Sequence, residues 1–157
     1  MMRRTAALAL LSFVVVSGSG FAADNAELLA CLQQKVKLAD GKILSRQPYA
    51  GSIEVTVTND LSWALSGIYV KQVVRSESRS VPWFEGTVSD FIAGGIEPGE
   101  TRTIRVYFEG LSGDVPEDVL LELSLLDVGD PDGNQMLHET HVIGDGWTDK
   151  KSELGCN

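Results

Sequence analysis

The chain has 157 residues, 43% of them hydrophobic, and a formal charge of −9. That is one domain's worth of chain with enough apolar material for a core. Its acidity disfavours phosphate backbones and anionic membrane surfaces, so nucleic acid is excluded as an expected partner.

The first residues have the make-up of an export signal. Met1, Met2, Arg3 and Arg4 precede an uncharged run from Thr5 to Val16, then Ser17–Gly20, Phe21, Ala22 and Ala23. A basic start, a short apolar stretch and small residues at a cleavage point define a secretory signal. Cleavage after Ala22 gives a signal over 1–22 and places the rest in the periplasm or outside the cell. The run is too short for a spanning helix, so no membrane insertion is expected after cleavage. Cys31 lies beyond Asp24, Asn25 and Glu27, too far from the apolar run to serve as a lipid-anchor site. All 22 acidic residues lie beyond Ala23 while Arg3 and Arg4 lie before it, so cleavage deepens the formal charge by two, to −11.

Cys31 and Cys156 are the two cysteines. In an oxidising compartment two such residues pair, and this pair would tie the start of the mature chain to its end. Redox pairs stand close in sequence, as in Cys-x-x-Cys, and these do not.

Asp24 to Gly41 is expected to form an N-terminal helix. Asp24 and Glu27 have capping-box spacing, Leu28, Leu32, Val36 and Ala39 form one apolar stripe, and Gly41 is a natural stop. From about residue 50 to 157 the pattern becomes that of a β domain. Ile53, Val55 and Val57 alternate with polar residues, and Asn59-Asp60 supply a turn. Ile68–Val74 and Val88–Ala93 are further strands, and Pro82 places Val81–Phe84 at an edge or loop. Gly94-Gly95 and Pro98-Gly99 mark turns, with Glu97 and Glu100 as solvated flanking residues. Ile104, Val106 and Phe108 alternate again, then Val119–Leu125 form a strand. Asp127–Asn134 is expected as a loop with Asp132-Gly133 as its hairpin signal, and Met136–Ile143 as a last strand. Short strands separated by turns, without helices between them, indicate a mainly β fold, an antiparallel immunoglobulin-like sandwich with one N-terminal helix.

Three strings, "GSIEVTVTND", "GIYVKQVV" and "GGIEPGETRTIRVYF", span Gly51 to Phe108. This stretch resembles bacterial envelope domains of the FxLYD type, which have an immunoglobulin-like sandwich. Ile68-Tyr69-Val70 stand where that family's name-giving string would fall. The resemblance implies an envelope module and no particular activity.

No set of residues spells a catalytic site. No serine sits in Gly-x-Ser-x-Gly and no glycine loop has phosphate-binding spacing, so no enzyme activity and no cofactor are expected. His138 and His141 flank Glu139, but on a strand they point to opposite faces and cannot share one metal. Asp127, Asp130 and Asp132, with Asn134, form an oxygen-rich segment without the glutamate that an EF-hand needs. These five residues are the weak candidates for metal. Trp83, with Pro82 and Phe84, is the candidate partner-binding segment, since a loop tryptophan can anchor an interface. The expected function is therefore that of an exported interaction or accessory protein with a protein partner in the cell envelope. An inhibitor or immunity-like protein acting on a cationic enzyme, and a metal-binding envelope protein, are the alternatives.

Overall fold

The computed structural model describes residues 20–47, 51–108, 111, 115–137, 152 and 154–155. It is mainly β. One helix, α1 (Gly20–Lys35), leads into β1 (Val36–Ser45), β2 (Gly51–Asn59), β3 (Leu65–Arg75), β4 (Phe84–Ile96), β5 (Thr101–Phe108) and β6 (Leu120–Gly129). The strands form two three-stranded sheets, β1-β2-β5 and β4-β3-β6, and every ladder is antiparallel. The inward residues of both sheets belong to one apolar cluster: Ile53, Val55, Val57 and Val106 from the first, Ile68, Val70, Val74, Ile96 and Val128 from the second. The arrangement is sandwich-like, with Leu28 and Leu32 of α1 and Leu154 buried against its core.

The expected helix over 24–41 ends earlier, and its last residues belong to a strand. Leu28 and Leu32 are buried on the helix as the stripe requires, but the helix stops at Lys35. There the Lys35 carbonyl accepts the Asp60 amide at 2.7 Å. Val36 pairs with Asn59 instead, and Val36 buried, Lys37 exposed, Leu38 half-buried and Ala39 exposed follow the period of a strand. Gly41 is not a helix stop. It sits at a register shift in β1 beside Asp40, whose φ is +54°, and a Cβ on Gly41 would lie 2.8 Å from Leu123 Cδ1. The glycine lets β1 approach β6.

β2 and β5 form where alternation predicts them, β3 (Leu65–Arg75) contains and extends the strand expected over Ile68–Val74, and β4 is longer than expected. β6 also runs further, so Asp127 is a buried strand residue and not the start of a loop. Its carboxylate accepts the Val128 amide at 2.8 Å and the Leu137 amide at 2.9 Å. Gln135, just before the strand expected over 136–143, forms a single bridge to Gly129; Met136–Leu137 of that expected strand are a turn instead, and 138–143 lie outside the described residues.

Two buried amides contrast sharply. Asn59, fully buried at the end of β2, uses every polar group it has. Its Nδ2 donates to the carbonyls of Trp63 and Ile96, both at 2.8 Å, and its Oδ1 accepts the Leu61 amide at 3.0 Å. Its backbone N–H donates to Glu100 O at 3.0 Å and its carbonyl accepts the Gly99 amide at 2.6 Å. Gln72, also fully buried, faces the core from the middle of β3 in phase with Val70 and Val74, and neither of its amide atoms has a hydrogen-bond partner among the described residues. A buried polar group without a partner costs about 1–3 kcal/mol, whereas a satisfied one loses that much when its partner is removed. The two sites therefore respond oppositely in urea denaturation. Asn59→Ala, which orphans two carbonyls and an amide, is expected to destabilise by about 3–5 kcal/mol, and Gln72→Leu to stabilise by roughly 1–2 kcal/mol.

Candidate functional site

The outward face of the second sheet carries the most distinctive surface. On β3 the outward positions are Tyr69, Lys71, Val73 and Arg75; on β4 they are Glu85, Thr87, Ser89 and Phe91. Two charge pairs cross this face: Lys71 Nζ to Glu85 Oε1 at 2.6 Å and Arg75 Nε to Glu122 Oε2 at 3.2 Å. At one end the pattern changes. Phe91 stands opposite Gly67, which itself stands opposite Gly129, so its ladder neighbours among the described residues place no side chain over the ring. Phe91 is 72% exposed. A Cβ on Gly129 would lie 2.6 Å from Ser66 Oγ, so the strands at this end pass too closely for a larger residue.

β4 folds around this point. Gly67 pairs with Phe91 and Leu65 with Ile96, so Ile92–Gly95 all lie opposite Ser66 alone. Gly94 and Gly95 take φ of +77° and +64°, a conformation that glycine adopts without strain. The result is a bulge in β4, where the sequence pattern had suggested a turn between strands. The 130–134 loop forms the third wall. Asp130 Oδ1 accepts the amides of Asp132 and Asn134 at 2.9 and 2.8 Å, and Gly133 N–H donates to Asp130 O. Two clefts flank Phe91. One of about 260 Å³ is lined by Tyr69, Ser89, Asp90 and Gly133 among others, and one of about 390 Å³ by Ala64, Gly94, Pro131 and Asp132 among others. Ser66, Phe91 and Gly133 line both.

The expected site residues are distributed differently. Pro82, Trp83 and Phe84 stand together at the start of β4, but the two aromatic rings are engaged. Trp83 Nε1 donates to Ser76 Oγ at 3.2 Å, the Arg79 guanidinium lies 3.8 Å from the ring centroid, and Phe84 packs on Phe108 with centroids 5.4 Å apart. Of the weak metal candidates, Asp127 and Asp130 direct their carboxylates at backbone amides, and Asp132 is exposed at the loop tip. Among the described residues no three potential metal ligands stand together; His138 and His141 lie outside them. Cys31 is half-buried on α1 against the core, and no cysteine among the described residues is free. Its expected partner, Cys156, lies outside the described residues, though a Cβ on neighbouring Gly155 would lie 3.8 Å from Lys35 Nζ at the end of α1.

Phe91 and Tyr69 escaped the sequence reading. The signal was present: in Val88–Ala93 the apolar positions Val88 and Ile92 share one phase, and Phe91 falls on the opposite phase with Thr87 and Ser89. No protein-family model matches the sequence, and no curated protein matches it at a significant level.

The turn beside this site is held by charge. Glu100 Oε2 accepts the Glu97 amide at 2.8 Å, and its Oε1 accepts Arg102 Nε at 2.9 Å and Nη2 at 2.7 Å. Glu100 is thus a clamp on the Pro98-Gly99 turn, more than the solvated residue its position suggests. The Glu97 amide, and then Arg102, hold its carboxyl below the ordinary glutamate value of 4.5. Lys71, through its hydrogen bond and its charge, does the same for Glu85. A depressed folded value gives stability that is complete above about pH 4.5 and is lost as pH falls through the lowered value. Glu100→Gln is therefore expected to flatten the acid limb of a stability–pH curve while leaving its neutral-to-alkaline shape unchanged, as read by thermal melts across pH.

Proposed function

We propose that this chain is an exported envelope protein with an immunoglobulin-like sandwich of the FxLYD kind, closed by a Cys31–Cys156 disulfide, that works by binding a protein partner and not by catalysis. The observation that carries the reading is Phe91, a large apolar ring 72% exposed between two clefts at the end of a sheet that carries two ion pairs further along its outward face. An exposed aromatic flanked by concave surface fits the anchor of an interface. Trp83, the sequence-based choice for that role, is the weaker candidate because its ring is already stacked under Arg79. The nearness of Gly155 to the end of α1 supports the bridge, and the acidic, phosphate-repelling composition supports a protein partner.

The test places a photo-crosslinking residue at position 91, and separately at position 83, in the exported protein. The reading expects a discrete adduct from position 91 that excess unmodified protein competes away, and none from position 83. Adducts from position 83 alone, or none from either, would contradict it. The intact mass of the same preparation should correspond to a chain beginning at Ala23 and lacking both thiol hydrogens.

A further inference from the structure

We infer that the partner protein is held as an added strand: an extended segment of it pairs with the open edge of β4 and lays an apolar side chain against Phe91. This rests on the reading of Phe91 as an interface anchor and adds the form of what it grips. β4 is an edge strand of the second sheet, paired with β3 alone. From Glu85 to Phe91 its ladder with β3 runs without a register shift, so every other residue turns its N–H and C=O away from β3. Those outward groups have no hydrogen-bond partner among the described residues. The open stretch has defined ends. Past Phe91 the Ala93 carbonyl accepts Arg102 Nη1 at 3.5 Å and the Ile96 carbonyl accepts Asn59 Nδ2 at 2.8 Å; before Glu85 the Phe84 ring packs on Phe108. On the other side of the sandwich the edges are shut. Leu125 O of β6 accepts Gln33 Nε2 of α1 at 2.8 Å, and β1 bends at Asp40-Gly41 and comes up against Leu121 and Leu123.

A row of alternating donors and acceptors specifies its ligand. An extended backbone presents the matching row, at about 3.3 Å per residue, and side chains do not. β5, the other edge strand on this side, offers a similar row, but β4 carries the bare ring and the clefts. Gly67 leaves Phe91 without a side-chain neighbour on the β3 side, so a cross-strand neighbour for the ring comes from the added strand. The occupant is a partner and not a second copy. β4 holds Glu85 and Asp90 and no cationic residue, and the whole chain is acidic. Two copies joined edge to edge would bring the carboxylates of both strands into one ladder.

The probe is a capped synthetic copy of β3, Leu65–Arg75, the sequence that β4 already pairs with along its inner edge. It is titrated into the purified exported protein and followed by amide chemical shifts and hydrogen exchange. Two analogues carry backbone N-methyl groups, one at Tyr69, Lys71 and Val73 and the other at Val70, Gln72 and Val74. Alternate N–H groups of a strand point to opposite edges, so only one of these sets faces β4. The peptide is expected to protect alternate amides between Glu85 and Phe91, and one analogue to bind at least about tenfold more weakly than the other. Phe91→Ala, at an exposed position, should weaken binding about threefold and leave the alternation in place. Equal binding of the two analogues would show that side chains and not backbone are gripped, and would overturn the inference. So would protection along β5 in place of β4, or no binding of the unmodified peptide. In each case the crosslinking result at position 91 judges the interface reading separately.

Discussion

Five segments of the chain meet around Asn59, and this one buried residue, through its side chain and its backbone, satisfies polar groups that their meeting exposes. The 60–63 loop and the end of β4 are hydrogen-bonded to its side chain, the Pro98-Gly99 turn to its backbone at the end of β2, and the adjacent Asp60 amide closes the end of α1. A sandwich built from two small sheets has a recurring difficulty at such a corner. The chain must leave one sheet for the other, so its backbone groups lose their ladder partners inside the core. Asparagine solves this because it offers two donors and an acceptor on a short, stiff arm. Leu61 and Ile96 could not be buried here, with Trp63 partly covered beside them, at this cost without it.

The rest of the molecule inherits its geometry from that corner. Fixing the Ile96 carbonyl fixes where β4 ends. The ladder with β3 is set independently at Gly67 and Phe91, so the surplus residues of β4 must leave the plane between the two. The glycine pair at 94 and 95 absorbs the excess, and Phe91 is left outward on a bare stretch of sheet. On the far side of the same turn, Glu100 and Arg102 clamp the start of β5. The clefts beside Phe91 are thus a consequence of how two sheets are joined. Gln72, by contrast, sits in the same core with no hydrogen-bond partner among the described residues, and marks where the packing carries an uncompensated polar group.

Much of the fold was legible because alternation is a strong signal where one face is buried. Ile53–Val57 and Ile104–Phe108 show it without competing periods, and both became strands at those positions. The helix boundary failed because two periods overlap at Val36. It extends the Leu28–Leu32 stripe by four and begins the Val36–Leu38 alternation by two, and only the pairing with Asn59 decides between them. Asp127 was read as a loop residue because aspartate in a buried strand needs amides that come from a segment ten residues away, which local pattern does not reveal. The candidate site was legible in its ingredients and not in its assembly. Trp83 drew attention by its type, yet Ser76 and Arg79 occupy it. Phe91 looked like one more apolar strand residue until the register put Gly67 opposite it.

Native-state amide hydrogen exchange on the wild type and on Asn59→Ala tests the role of this corner most directly. If Asn59 joins the sheets, the variant loses protection together around Thr58–Thr101 in the first sheet and Leu65–Ile96 in the second. The opposite ends, around Ser52–Tyr107 and Val74–Phe84, keep their order of protection. Loss confined to the 60–63 loop, with both sheet ends unchanged, would show that the sheets are held together by their apolar faces alone and would contradict this account.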